Sequence, residues 1–373
     1  MKSTHISLIL TAVCFWVACQ PETEDPDAIH TADQPEPELE LIGSFPNSDD
    51  IIIDRLREAV VDHQNHVFIA DGGQNKIFVS DKRGNPIDTI GREGAGPGEF
   101  ESIVTVELGY DDQLTVYDVS NNRSSVLSET NGSWEFDYQI TVDGEMKGVA
   151  LLGKDDQAIF RQGGMNQPSE VGPHWFINLF STGHTDGRIM EPDVIEYKDQ
   201  PSLAYRGDGN YRMTGLPTLR SDSYTTTSDG HIYFMWTDKF KAVRHDINLN
   251  PVDTVSASIP NQPFDGDDRI EYLEDQRSEI RSIVSQHLDD SLPVINWSFH
   301  NQLGWEVDPN GYHWLRTFDD PEYLILDPDG NPSGSFDLPE DYILADVNED
   351  IIVAQGFTEE GYHKVKIWEY RLD

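Results

Sequence analysis

The sequence predicts an all-β protein built as a closed ring of four-stranded sheets, a six-bladed β-propeller. Three observations carry this. A turn followed by a short apolar strand occurs six times, as Asp62–Ile69, Gly109–Tyr117, Gly153–Phe160, Ser228–Phe234, Asp308–Leu315 and Asn348–Val353. Strand starts Val67, Leu114 and Gln157 lie 47 and 43 residues apart, and Tyr312 and Ile351 lie 39 apart. That is the length of one four-stranded blade. The two remaining steps are longer and must hold insertions. These are placed at 193–216, between blades three and four, and at 261–292, between blades four and five. The ring is assigned to residues 41–373.

The repeated Asp-x-x-Gly and Asp-Asp-x turns have a mechanical reason. Tight hairpins need positive φ or a side chain that bonds its own backbone, and Gly, Asn and Asp supply these. The acids in these turns, and Asp71 and Asp118 at strand ends, are therefore structural. Between the first two blades stands Ile90-Gly91-Arg92-Glu93-Gly94-Ala95-Gly96-Pro97-Gly98-Glu99-Phe100. Its glycines and proline exclude a regular helix or strand. No helix pattern follows it, so it is a blade-to-blade link and not a phosphate cradle. Leu41–Phe45 precedes the first full repeat and is expected to be the outer strand of the last blade, beside the final strand Lys364–Tyr370. In the second insertion, apolar Ile270, Leu273, Ile280, Val284 and Leu288 recur at helical spacing, with Asp267 or Asp268 as cap and Glu271 at a capping-box position. This predicts an amphipathic helix over 268–288, lying on the rim.

The order Val67-Phe68-Ile69-Ala70-Asp71, Asn75-Lys76-Ile77-Phe78-Val79, Asp81-Lys82-Arg83-Gly84-Asn85 resembles the NHL repeat of β-propellers, and more closely the bacterial six-bladed propeller lipoproteins. The helical excursion after Pro263-Phe264-Asp265 resembles that family too. The resemblance covers nearly all of the chain beyond residue 40 and speaks for the fold, since one fold hosts many functions.

Met1–Cys19 reads as a secretory signal: Lys2 gives the positive start and Ile6–Ala18 an apolar run too short for a bilayer span. Its end, Val17-Ala18-Cys19, resembles the lipobox of bacterial lipoproteins, with Trp16 where the family usually has leucine. The resemblance implies lipidation of Cys19 and anchoring in the cell envelope, at the outer membrane. The mature chain then has no free thiol, hence no disulfide and no thiolate metal site. Residues 20–40 hold eight acidic residues, four prolines and no Lys or Arg, and are expected to be a disordered, self-repelling tether. Glu22, Glu24 and Asp25 weakly resemble the surface-export signal of some Bacteroidetes lipoproteins.

The formal charge is −42, from 68 acidic and 26 basic residues. It excludes nucleic acid and anionic membrane surfaces as partners, because phosphate binding needs a basic footprint. Contact with a membrane is left to the N-terminal lipid. The acids are spread along the chain, which points to a salt-rich habitat before it points to a cation site. Trp, Tyr and Phe make up 10 % of residues, enough for a core.

Functional residues are expected on the face that carries the long links. Arg92, the cluster Tyr205, Arg206, Tyr211 and Arg212, and the loop residues Trp236 and Lys239 combine aromatic rings with cations, the side chains that binding sites favour. Zinc pairs and nucleophile elbows are absent from the sequence. Some propellers with similar repeats are lyases or calcium-dependent hydrolases that use side chains projecting into the central channel. Glu58, Glu107 and Glu306 are the candidates for that role here. The expectation is a monomeric binding or scaffold propeller for a protein, peptide or glycan, without a cofactor. The alternative is a calcium-dependent hydrolase or lyase with its site in the channel.

Overall fold

The computed structural model describes residues 28–48, 50–142, 146–164, 172–207, 210–215, 222–227, 230–236, 240–260, 262–263, 296–297, 305–317 and 321–372. The fold is an all-β six-bladed propeller. Strand β1 (Glu38–Phe45) stands first. Blade one is β2 (Leu56–Val61), β3 (Val67–Asp71), β4 (Lys76–Ser80) and β5 (Pro86–Ile90). Blade two is β6 (Ile103–Leu108), β7 (Leu114–Asp118), β8 (Arg123–Thr130) and β9 (Ser133–Ile140). Blade three is β10 (Met146–Leu152), β11 (Gln157–Gly164), β12 (Gly172–His184), β13 (Ile189–Gly207) and β14 (Asn210–Gly215). Blade four is β15 (Asp222–Thr227), β16 (His231–Trp236), β17 (Lys241–His245) and β18 (Pro251–Ser256). The short pair β19 (Gln262–Pro263) and β20 (Asn296–Trp297) comes next. Blade five is β21 (Trp305–Val307), β22 (His313–Arg316), β23 (Tyr323–Leu326) and β24 (Pro332–Phe336). Blade six is β25 (Tyr342–Val347), β26 (Ile351–Phe357) and β27 (His363–Arg371), with β1 as its fourth strand.

Ring closure is therefore as the sequence implied: β1 pairs antiparallel with β27, from Glu38 opposite Arg371 to Phe45 opposite Val365. The middle strands of a blade are covered on both faces. Val67–Asp71 and Tyr323–Leu326 are buried at every residue, which is why they read as unbroken apolar runs. Outer strands face water on one side and alternate, as in Ser133–Ile140. The core is a series of six apolar clusters, each spanning two neighbouring blades. Phe68 and Ile77 meet Phe100 and Leu127 between blades one and two, and Phe45, Ile351 and Val365 meet Ile69 and Phe78 across the closure. Trp314 and Tyr323 meet Ile352 and Trp368 between blades five and six. Each blade thus buries its faces only when both neighbours are present, which makes the ring cooperative.

The turn acids act as expected. Asp62, Asp81, Asp246, Asp308 and Asp327 each accept the backbone N–H groups two and four residues further on, at 2.7–3.0 Å. Asp71 and Asp118 reach back to the entry of their own blade. Asp71 accepts from Asp54 N and Arg55 N, and Asp118 from Glu101 N and Ser102 N, all within 2.9–3.0 Å. Much of the acid excess is thus backbone fastening rather than a ligand field.

Two expectations change. The segment 193–216 is not a loop between blades. The chain stays extended, so β13 runs for 19 residues and turns into β14, which makes blade three five-stranded. Gly207 pairs with Asn210, and the sequence between them is Asp208-Gly209, the dipeptide that two-residue hairpins prefer. Residues 28–37 are not part of a free tether. Ile29 donates its N–H to Ser258 O at 2.7 Å, Ser335 N donates to Pro35 O at 2.9 Å, and Thr31 is buried. The strap lies along the rim of blades four and five, and its backbone bonds and the packing of Ile29 offset the entropy that the composition alone would leave unmet. The helix expected over 268–288 lies outside the described residues, as do Cys19 and the first part of the tether.

Candidate functional site in the central channel

The first strand of each blade is the inner one. Neighbouring first strands approach one another from β25 through β2 and β6 to β10, and from β15 through β21 to β25. Each blade presents what this strand carries two to four residues before its turn. Blade one brings Glu58, blade two Glu107, blade five Glu306 and blade six Asp346. Blade four brings Tyr224 and Thr225, and Arg161 enters from the second strand of blade three, opposite Gly148.

These groups are bonded to one another and to the ring. Glu58 Oε2 accepts from Val106 N at 2.6 Å, so a carboxylate of blade one holds the inner strand of blade two. Asp346 Oδ2 accepts from Val61 N at 2.7 Å and does the same from blade six to blade one. The hydroxyl of Thr225 donates to Glu306 Oε2 at 2.8 Å, linking blades four and five. Arg161 donates to the Tyr224 hydroxyl, and Tyr224 also hydrogen-bonds Glu107. The Arg161 guanidinium lies 5.4 Å from the Tyr224 ring centroid. The inner strands β2, β6, β10 and β25 all carry register shifts, which expose backbone N–H groups for these bonds.

The electrostatics follow from burial among like charges. Burial lifts Glu58 to about 7, against the pull of the Val106 N–H, Arg161 and Arg57. Burial, with the nearby charges of Glu58 and Asp346, lifts Glu107 to about 8, although Arg161 and Tyr224 oppose it. Burial lifts Asp346 to about 7 and raises Glu306 well above the carboxylate range, with Asp346, Glu107 and Glu58 adding to the latter. All four residues are half-buried. The set can hold and exchange protons near neutral pH, donate hydrogen bonds as carboxylic acids, and accept them as carboxylates. Among the described residues, no three His, Cys, Asp or Glu side chains come close enough to share an ion.

Sequence reasoning named Glu58, Glu107 and Glu306 and missed Asp346, Arg161 and Tyr224. Asp346 was findable, since it stands two residues before its turn, as Glu107 and Glu306 do. Arg161 lies on a second strand, where no repeat position flags it. The residues expected on the loop-rich face fall in the blade one–two link, the β13–β14 hairpin and the end of β16. Arg92 is exposed and grips Glu99 Oε1 through Nε at 2.8 Å and Nη2 at 2.6 Å, bracing the glycine link. Inside that link Phe100 N donates to Arg92 O at 2.9 Å, and a side chain at Gly91 (φ 81°) would run into the Phe100 ring. Buried Arg123 completes it, donating to the carbonyls of Ala95, Gly96 and Glu99 at 2.8–2.9 Å. Tyr205 pairs with Arg212 and Arg206 with Tyr211 across the β13–β14 hairpin. Trp236 ends β16 opposite Asp222, and Lys239 lies outside the described residues.

A family model described as a 6-bladed beta-propeller matches residues 47–177. No curated protein matches the chain. Among solved structures, the chain is similar to a protein named as exported from Bacteroides fragilis, at 13 % identity and a TM-score of 0.54, over 92 % of this chain and 98 % of that one. It is also similar to a duf4221 family member from Bacteroides vulgatus, at 11 % identity and a TM-score of 0.52, over 91 % and 99 %. A streptogramin B lyase aligns at 12 % identity over 90 % and 98 %, but at a TM-score of 0.43 it carries no argument. These likenesses agree on the fold.

Proposed function

We propose that this chain is an exported, lipid-tethered binding propeller of the cell envelope, and that it recognises a peptide or glycan which enters the central channel from the face of the long links. The observation that supports the reading most is the channel wall. Four carboxyl groups held near their titration range stand with a guanidinium, a phenol and a hydroxyl around one axis. Such a wall offers hydrogen bonds of both senses to a polar neutral or cationic ligand. The lipobox-like Val17-Ala18-Cys19 and the exported neighbour support the tether and the compartment.

The test is an array of peptides and glycans probed with the wild-type chain and with Arg161→Met and Glu107→Gln. Hits weakened by both substitutions support a channel site. An array without hits, or hits indifferent to both, sinks the reading. The hydrolase alternative is tested by thermal shift with Ca²⁺, Mg²⁺ and a chelator at fixed ionic strength. The expected result is no calcium-specific rise; a rise that chelator removes would restore that alternative.

A further inference from the structure

On the opposite face of the ring, between blades four and five, a crevice of about 110 Å³ is lined by Thr227, Tyr233, Arg244, Asp253, Asp308 and His313, with Val255, Pro309 and Pro328 as its apolar wall. It sits where the first-to-second and third-to-fourth strand turns of blade five meet blade four.

His313 is fully buried. Its Nδ1 lies 3.4 Å from Trp305 Nε1. An indole N–H only donates, so Nδ1 is the acceptor and the ring proton sits on Nε2. Burial drives the His313 pKa down to about 3, so the ring stays neutral and Nε2–H is a permanent donor. That donor has no acceptor in the protein, nor has the buried Arg244 Nε–H beside the same crevice. A buried donor left unmet is costly, and two at one small cavity imply an acceptor that arrives from outside.

The charges say what kind. Arg244 Nη2 is paired with Asp253 Oδ2 at 2.6 Å. The carboxylate of Asp308 is already filled by Asn310 N, Tyr312 N, Trp314 Nε1 and Tyr370 Oη at 2.9–3.4 Å. The crevice therefore offers two donors without net positive charge, in a chain of net charge −42. An anion is disfavoured there and a neutral carbonyl oxygen is suited. The volume admits a group of acetamide size. The apolar wall suits a methyl, while Asp253 and Asn310 at the rim can take hydroxyl or amide protons.

We propose that this crevice is a subsite for the acetamido group of an N-acetylated amino sugar, its carbonyl oxygen taking the His313 Nε2–H and Arg244 Nε–H and its methyl resting on Val255, Pro309 and Pro328. The proposal rests on the glycan side of the binding reading above and adds a second contact point on the other face.

The test is calorimetric titration of the full chain with the N-acetylglucosamine trimer, its deacetylated counterpart in high salt, and N-acetylglycine methylamide. The acetylated trimer should bind at least about tenfold more tightly than either of the others, and Arg244→Met should weaken it about tenfold or more. His313→Phe should do the same if it folds. Arg244→Met keeps the test valid if it does not, because the Asp253 it leaves behind is solvated. No binding of the acetylated trimer up to about 10 mM overturns the subsite, as does binding that Arg244→Met leaves unchanged. Equal binding of the amide mimic overturns the sugar assignment. Array hits on other ligands, retained while the acetylated trimer fails, overturn this subsite and leave the channel reading standing.

Discussion

Replacing Glu107 by Gln tests the channel electrostatics most directly. In the folded chain Glu107 titrates at about 8, while an unfolded glutamate titrates at 4.5. Between those values the native state holds a proton that the unfolded state has released. Stability from this group is therefore fully present below about 4.5 and is lost as pH rises through about 8. From pH 5.5 to pH 8 the loss is bounded by 1.36 kcal/mol for each pH unit, roughly 3 kcal/mol. Channel water and the sharing of protons among four carboxyls lower this to about 1.5 kcal/mol.

Gln has the shape of the protonated acid and can still accept from Tyr224. The substitution should thus be near neutral below about pH 4.5 and increasingly stabilising above it, its advantage growing by about 1.5 kcal/mol between pH 5.5 and pH 8, roughly 2–4 °C in melting temperature. The assay is thermal denaturation of both proteins at pH 5.5, 6.5, 7.5 and 8.5 at fixed ionic strength. Whole-chain repulsion also falls at low pH, but it affects both proteins alike and cancels in the difference. Parallel melting curves across the range, or a variant less stable at pH 8, would refute the claim that Glu107 is held protonated by burial among like charges.

Three further outcomes are expected. Arg123→Met removes three buried bonds to the glycine link and should cost about 2–4 kcal/mol by urea denaturation, with new proteolytic cleavage within 91–100. Phe45→Ala empties a fully buried site at the closure of the ring and should cost about 3–5 kcal/mol; a loss below 1 kcal/mol would show that β1 does not clasp blade six. Raising salt from low to molar should lift the melting temperature of the wild type as self-repulsion is screened, and a flat response would contradict the salt-habitat reading of the acid excess.

The ring was legible because its information is local and repeated. The Asp-x-x-Gly turns and the apolar middle strands recur with the blade length, and the structure uses each of them as the sequence implies. The exceptions are places where tertiary context overrode composition. Residues 28–37 are acidic and proline-rich, and no sequence rule assigns them a surface, yet Ser335 and Ser258 provide backbone partners. The segment after Asp193 carries Asp199, Pro201 and Ser202, residue types that favour turns, yet β13 runs through them to Gly207 because both of its edges are paired, with β12 and with β14. The site was half legible for the same reason. Glu107, Glu306 and Asp346 share a repeat position, whereas Arg161 reaches the channel from a second strand and leaves no periodic trace.

The two uses of acid in this molecule separate by what holds the proton. Turn carboxylates such as Asp81, Asp246 and Asp327 each accept from an Asn side chain and from two backbone N–H groups, and those bonds push their pKa values below the ordinary range. They remain charged across the physiological range and contribute repulsion that salt relieves. The channel carboxyls are buried, with like-charged neighbours beside them, and they move the other way. A change of pH between 5.5 and 8 thus leaves these turn carboxylates charged while it recharges the channel. Any ligand that enters the channel is read by groups whose charge follows pH, and any ligand of the blade four–five crevice is read by the neutral His313 and by Arg244, whose donors do not titrate in that range. Binding at the two places should therefore separate by pH alone: channel hits should change affinity between pH 5.5 and 8, and acetamido binding should not. A pH-invariant affinity for a ligand that Arg161→Met abolishes would contradict the assignment of titrating carboxyls to the channel wall.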